Sequence, residues 1–293
     1  MSLFAAGNAM GRAATGDPLL RPIAPDHAKQ WLAPQQPMRI FGNVYLVGFG
    51  GLNVGLVRTS AGLILIDGAV PQAVPAVEAN IRRLGFRLED VKLILSTEPH
   101  WDHAGGLAAL ARDTRATVLA SAAAAGVLRT GHSGPDDPQA PALETFPPVS
   151  SLRVVRDGET VRLGNTVVTA IATPGHTQGS MSWRWTSCEG RRCLPVVFAS
   201  SFNPIAAQGQ RLTEPAHRWT LDAFPRSFAR MRRLPCGILL SAHPEQSDGD
   251  RKLTLLRKKR EPNPFIDPGA CRAYANRFAR LFTERVEKER GAK

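Results

Sequence analysis

With 293 residues, 43% of them hydrophobic, the chain has material for a substantial core, and no apolar run approaches the roughly 20 residues a membrane span needs. Its formal charge of +12 brings nucleic acid and anionic membranes into consideration. The positive residues are scattered, however, with one dense run, RKLTLLRKKR at 251–260, that reads as a solvated basic loop, and no aromatics alternate with them to stack bases. Neither nucleic acid nor membrane is therefore expected as a partner.

Residues 1–37 are rich in Ala, Gly and Pro and read as an irregular arm. They lack the basic start and continuous apolar stretch of a signal peptide. Short strands follow at 43–47, 52–58 and 63–66, separated by Gly-rich turns, and the spacing over 74–84 predicts a helix. A compact apolar strand at 92–95 runs into S-T-E-P-H-W-D-H-A-G-G, Ser96 to Gly106. Helices are expected over 104–111 and 122–128. The Pro-, Gly- and Asp-rich stretch Thr130–Pro148 reads equally as a flap and as a disordered surface loop. Strands are then expected at 159–163, 166–172, 180–185 and 195–199, a helix over 221–232 and a strand at 237–240. The last helix, 270–286, carries Tyr274, Phe278, Leu281 and Phe282 as its apolar face. No linker divides residues 38–293, so one domain is expected, an α/β sandwich of two sheets with helices on the outer faces.

The chemistry concentrates in the loop after the strand at 92–95. Residues two apart in extended chain point the same way, and Pro99 holds Glu98 extended. Glu98 and His100 can thus aim at one point, while Asp102 and His103, past a turn at Trp101, aim at a second. A catalytic zinc takes three protein ligands and a water, so each point lacks one ligand. His176, in T-P-G-H-T-Q-G-S, and His243, in L-L-S-A-H-P-E, both follow strands and can complete the sets. His27, His132 and His217 have no partner motif and are read as surface or structural. Asp67, in L-I-D-G, is not at ligand spacing and is expected to fix the metal loop by hydrogen bonding. Trp101 is expected to pack beneath that loop. The four cysteines allow three pairings, or four free thiols. Cys188 with Cys193 suits a bridge closing a hairpin, which leaves Cys236 for Cys271 and points to an oxidising compartment.

The strings E-P-H-W-D-H-A-G-G, P-G-H-T-Q-G-S and S-A-H-P, in that order, resemble the metallo-β-lactamase superfamily. V-G-F-G-G-L-N-V, F-A-S-S-F-N-P and N-P-F-I-D-P are similar to its subclass B3, over roughly residues 37–290. The resemblance implies the αββα sandwich of that superfamily and two zinc ions per chain. Glu98, His100 and His176 would hold the first, and Asp102, His103 and His243 the second. It also implies a hydrolase that opens the β-lactam ring of penicillins, cephalosporins or carbapenems with metal-activated water, Asp102 orienting that water and Glu98 tuning its acidity. Ser201 and Asn203 would line the substrate side, though Ser201 reads equally as a residue that only satisfies backbone groups in a turn, and the compartment would be the periplasm or the exterior. A monomer is the working expectation.

Glu98 departs from the family pattern, which has histidine there, or glutamine in some members. A carboxylate leaves one less positive charge around the metals, so bound water should be harder to deprotonate and the first ion looser. On charge alone, histidine at that place would hold zinc at least as tightly. The alternatives are a related hydrolase of another ester, lactone or amide, and a basic binding protein with a vestigial metal site. The strand at 195–199 runs into Ser200 and Ser201 without the bridging aspartate of the lactonase and thioesterase branches or the cysteine of another β-lactamase branch.

Overall fold

The computed structural model describes residues 16–23, 29 and 31–291. An antiparallel meander comes first: β1 (Met38–Phe41), β2 (Val44–Leu46), β3 (Gly55–Thr59) and β4 (Gly62–Ile66). Helix α1 (Val74–Arg83) leads to β5 (Val91–Leu95), which pairs parallel with β4. The one-turn α2 (Trp101–Ala104) and α3 (Leu107–Thr114) precede β6 (Thr117–Ala120); α4 (Ala122–Thr130) and a long loop precede β7 (Leu152–Val154). Both strands add in parallel, giving a seven-stranded sheet in chain order. The second sheet is built from β8 (Thr160–Leu163), β9 (Thr166–Ala172), β10 (Met181–Glu189) and β11 (Arg192–Ala199), all antiparallel. Helix α5 (Trp219–Arg233) then returns the chain to β12 (Ile238–Ser241), parallel to β11 at the sheet edge, and α6 (Gly249–Lys258) and α7 (Ala270–Gly291) follow.

Alternation along the strands separates the layers. Ile64, Ile66, Leu95 and Leu119 meet Val168, Trp183, Phe198 and Leu240 of the second sheet. Their neighbours Leu63, Leu65, Ile94 and Val118 pack instead with Val77 of α1, Leu110 of α3 and Leu128 of α4. On the far side of the second sheet, Val197 and Leu239 bury Phe224 and Phe228 of α5 with Tyr274, Phe278 and Phe282 of α7. Helix, sheet, sheet and helix are thus held by three apolar seams, the αββα sandwich expected from the resemblance. Each large side chain wholly buried in a seam contributes about 1.5–3 kcal/mol.

Several local expectations change. The strand expected at 52–58 begins only at Gly55, because Val47 N bonds Val54 O and Phe49 N bonds Leu52 O in a tight loop. The strands β1, β6 and β7 were not anticipated; each has only three or four residues, too short for a period to register. The basic run at 251–260 is not a loop: most of it lies in α6, where Leu253 and Leu256 are buried along with Lys252 and the other charges face solvent. In α7, Leu281 is 40% exposed and does not share the buried face of Tyr274, Phe278 and Phe282.

Both disulfides expected from the sequence are present. Cys188 and Cys193 are opposite partners in the β10–β11 hairpin, and Cys236, just before β12, is bonded to Cys271 in the first turn of α7. Because the second closes a loop of 35 residues and the first one of 5, chain entropy assigns them about 4 and about 2 kcal/mol. Replacing Cys236 and Cys271 by serine is expected to lower the unfolding free energy by about twice as much as replacing Cys188 and Cys193, measured by denaturant titration.

Candidate metal centre

Four separate segments deliver the site, and each is fixed by its own backbone. The chain leaves β5 extended through Glu98 and His100, then turns: the His100 carbonyl accepts from His103 N (3.0 Å) and Ala104 N (2.7 Å). This turn docks closely on the loop after β4. A Cβ at Gly106 would stand 2.2 Å from the Gly68 carbonyl oxygen, so only glycine permits the approach. Asp67 clamps the loop as expected, its Oδ1 accepting from Thr97 N (2.7 Å) and its Oδ2 from Thr97 Oγ1 (2.6 Å). Trp101 is buried, as expected, with its ring 5.1 Å from that of Trp31.

His176 lies in the turn between β9 and β10, and His243 directly follows β12. The loop 48–54, rich in the motif glycines, is tied to the end of β12 by Asn53, whose N donates to Ala242 O and whose Nδ2 donates to Ser241 O, both at 2.8 Å. That tie brings the Gly51 carbonyl to 3.0 Å from His243 Nδ1.

All four imidazoles have one ring nitrogen turned outward to an oxygen and the other turned inward. His176 Nδ1 meets Asn203 O at 2.9 Å and His243 Nδ1 meets Gly51 O. His100 Nε2 meets Asp137 Oδ2 at 2.8 Å, and His103 Nδ1 lies 3.6 Å from Asp67 Oδ2. A carbonyl accepts only, so His176 and His243 carry their proton on Nδ1 and present the Nε2 lone pair to the centre. There His103 Nε2 and His243 Nε2 stand 3.0 Å apart, each 3.3 Å from Asp102 Oδ2. The rings of His100 and His176 are 4.9 Å apart.

The sequence assigned Glu98 to the His100–His176 set, but the carboxylate lies between both pairs. Its Oε1 is 3.1 Å from His103 Nε2 and 3.7 Å from His176 Nε2, and it belongs equally to a Glu98–His100–His176 group and a Glu98–His103–His243 group. Its Oε2 accepts from Ser201 N at 2.8 Å. Glu98 is wholly buried, whereas Asp102 reaches the cleft.

These contacts show what the site lacks when only protons are available. Burial works against charge on His103, but Asp102, Glu98 and Asp67 outweigh it and push its pKa up to about 10. Burial likewise raises the Glu98 carboxyl, yet His103, His176 and His100 hold it well below the usual carboxylate range. His176 is lowered by burial and by neighbouring His100, against the pull of Glu98. Buried carboxylates and lone-pair nitrogens converging within hydrogen-bond distance fit a cation far better than a shared proton, so the residues suit zinc-type coordination.

Above the centre lies a cleft of 650 Å³ lined by Trp31, Asp102, Gln139, Asn203, Ile205 and His243, among others. Asn203 therefore borders the cleft. Ser201 does not line it; its side chain is wholly buried behind Glu98 and its Oγ has no hydrogen-bond partner. Of the histidines left aside, His132 is exposed, and His217 is buried with Nδ1 2.8 Å from Arg211 O; His27 lies outside the described residues. Nothing in the local sequence singles out Gln139 or Asp137. Both come from the stretch 130–148, whose middle part lies against the site.

Comparison with known proteins agrees with this geometry. Residues 47–189 match the model of the metallo-beta-lactamase superfamily. A solved B3 metallo-β-lactamase described as having an active-site glutamic acid is 51% identical, with a TM-score of 0.87 over 94% of this chain and 99% of that one. The Rm3 metallo-β-lactamase is 44% identical (TM-score 0.88, 92% of this chain and 100% of that one). BJP-1, a subclass B3 enzyme of Bradyrhizobium japonicum, is 36% identical (0.82, 90% and 98%). Among curated proteins, the uncharacterized YobT of Bacillus subtilis (strain 168) is 34% identical over 137 residues, 45% of this chain, and the match spans 56% of that protein. The fold and its paired histidine clusters are those of a metal-dependent hydrolase. The chain belongs to the metallo-β-lactamase superfamily, and its structural relatives place it in subclass B3.

A metal ion binds neutral imidazole, so it must displace the proton that His103 keeps up to about pH 10. Metal affinity is therefore expected to rise with pH across the range 7 to 10, by about one log unit per pH unit from this group alone. Calorimetry of zinc binding at pH 8 in buffers of different ionisation enthalpy should register proton release; a pH-independent affinity would contradict the assignment.

Proposed function

We propose that this chain is a zinc-dependent β-lactamase working with two ions. Glu98, His100 and His176 hold one, and Asp102, His103 and His243 hold the other. The single observation that carries the reading is the inward convergence of four imidazoles, three of them buried and His243 nearly so, and two carboxylates beneath an open cleft. The identity of its B3 relatives, up to 51% over nearly the whole chain, supports the substrate class. The metals, when bound, supply a Lewis acid for the lactam carbonyl and lower the pKa of water towards 7.

The remaining work falls to the chain. Asp102 is the one carboxylate of the cluster that also borders the cleft, so it accepts a hydrogen bond from the attacking water and aims it at the carbonyl carbon. Asn203 offers its amide to the carboxylate on the ring fused to the lactam, a role the buried Ser201 hydroxyl is not placed to share. Ile205, 45% exposed at the cleft wall, gives apolar contact to the substrate's variable group. Glu98 touches no substrate; it sets the charge of the centre and holds the end of β11 through Ser201 N. Two disulfides suit an oxidising compartment, the periplasm or the exterior, and no described helix is long and apolar enough to cross a membrane.

Purified protein should open penicillin or carbapenem rings, lose that activity to a chelator and recover it with zinc. Asp102→Ala and His243→Ala should each reduce turnover at least about a hundredfold; near-normal rates in either would count against the site, and activity confined to lactones or thioesters would move the chain to another substrate class.

Glu98→His makes a separate test, because the geometry reverses the expectation from charge. Imidazole that accepts from Ser201 N through one nitrogen must carry its proton on the other, the one facing the metals. We expect zinc affinity to fall; a chelator competition showing tighter binding than wild type would refute this.

A further inference from the structure

Residues 135–139 cross the His100–His176 side of the centre, and nearly every one of them is pinned to a different part of the fold. Pro135 O lies 3.3 Å from His217 Nε2, and Asp136 O accepts from Trp219 Nε1 at 3.0 Å. The Asp136 side chain accepts from Gln178 Nε2 at 2.8 Å, and Pro138 O accepts from Ala207 N at 2.9 Å. Within the strap, Asp137 Oδ1 accepts from Gln139 N at 2.9 Å, a local turn that sets the direction of its own carboxylate. A segment held at this many points is a rigid support, and it presents to the centre Asp137 Oδ2, 2.8 Å from His100 Nε2, and the Gln139 amide nitrogen, 3.3 Å from His176 Nε2.

Among the four inward-facing imidazoles, His100 is the one whose outer nitrogen meets a carboxylate at full hydrogen-bond distance. His176 and His243 have neutral carbonyls there, and Asp67 stands 3.6 Å from His103. The difference falls on the side of the centre where an imidazole is missing and where Glu98 leans towards His103, at 3.1 Å against 3.7 Å for His176. We propose that Asp137 is a positioning residue for the first metal site, accepting the His100 Nε2 proton so that Nδ1 faces the metal. The nearby negative charge strengthens His100 as a donor where Glu98 is shared. The inference rests on the two-metal reading above and deepens it.

The experiment is a zinc competition titration against a chelator series, resolving two binding steps, with the metal-free melting temperature measured in parallel. Wild type should hold two ions. Asp137→Ala should lose affinity for one of them by about 10–100-fold and leave the other unchanged. Asp137→Asn, similar in shape but without the charge, should lie between, and its metal-free melting temperature should match wild type. If the alanine variant fails to fold, the asparagine variant alone decides. Wild-type affinity at both steps in Asp137→Asn, or equal losses at both together with a lowered metal-free melting temperature, would overturn the proposal and leave a strap that is only structural. A wild-type chain that takes up no zinc would show a different failure, that of the hydrolase reading itself.

Discussion

The structure depends on an electrostatic debt at its centre. Asp67, Glu98, Asp102 and the imidazoles of His100, His103 and His176 are buried together beside the nearly buried His243, with the inner nitrogens of His103 and His243 only 3.0 Å apart. Lone pairs and carboxylates packed this tightly repel unless positive charge lies among them. With protons alone, His103 must stay charged to high pH and Glu98 and Asp102 must stay ionised. A divalent ion answers the same demand while letting every imidazole stay neutral. Elements around the site can therefore be understood as means of holding an arrangement that would otherwise spread apart.

The two sheets do most of that holding. The metal loop follows β5, His176 follows β9, Ser201 follows β11 and His243 follows β12, so the functional segments emerge from strand ends buried in the apolar seams. Strands are rigid at this depth, and the loops they launch are short, which confines each ligand to a small region. Parallel pairing matters as well. Because β11 and β12 run the same way, Ala199 and Ser241 are register partners, and the segments that end in Glu98's partner Ser201 and in His243 leave side by side.

Much of this was legible in the sequence because the ligand types are rare and cluster at short spacing. Glu98, His100, Asp102 and His103 fall within six residues, and Pro99 and Gly106 mark the extended and close-packed parts of their loop. The long strands and helices carried a clear period. The rest was hidden for identifiable reasons. The strands β1, β6 and β7 are too short to show a period, and α6 hides two buried leucines within seven charges from Asp250 to Arg260. Asp137 and Gln139 sit in a stretch whose composition signals only a loop. Their importance arises from tertiary pinning by His217, Trp219, Gln178 and Ala207, none of which a local reading connects to residue 137. For Ser201 the sequence left two readings level, a substrate contact and a structural turn residue; in the fold its side chain is buried and its backbone N–H is the group in use.

That N–H explains why glutamate can stand where an imidazole would be expected. Glu98 has two oxygens with separate tasks, Oε2 accepting from Ser201 N and Oε1 facing His103 and His176. An imidazole has one acceptor nitrogen at a time when neutral, so it cannot accept from the backbone and also offer a lone pair to a metal. Leaving the buried Ser201 N–H without a partner would cost about 1–3 kcal/mol. The identity of residue 98 is therefore coupled to the backbone conformation at the end of β11, 103 positions away in the chain. A ligand exchange at this site has to be judged as a change of two elements at once, the metal loop and the strand end that supplies its donor.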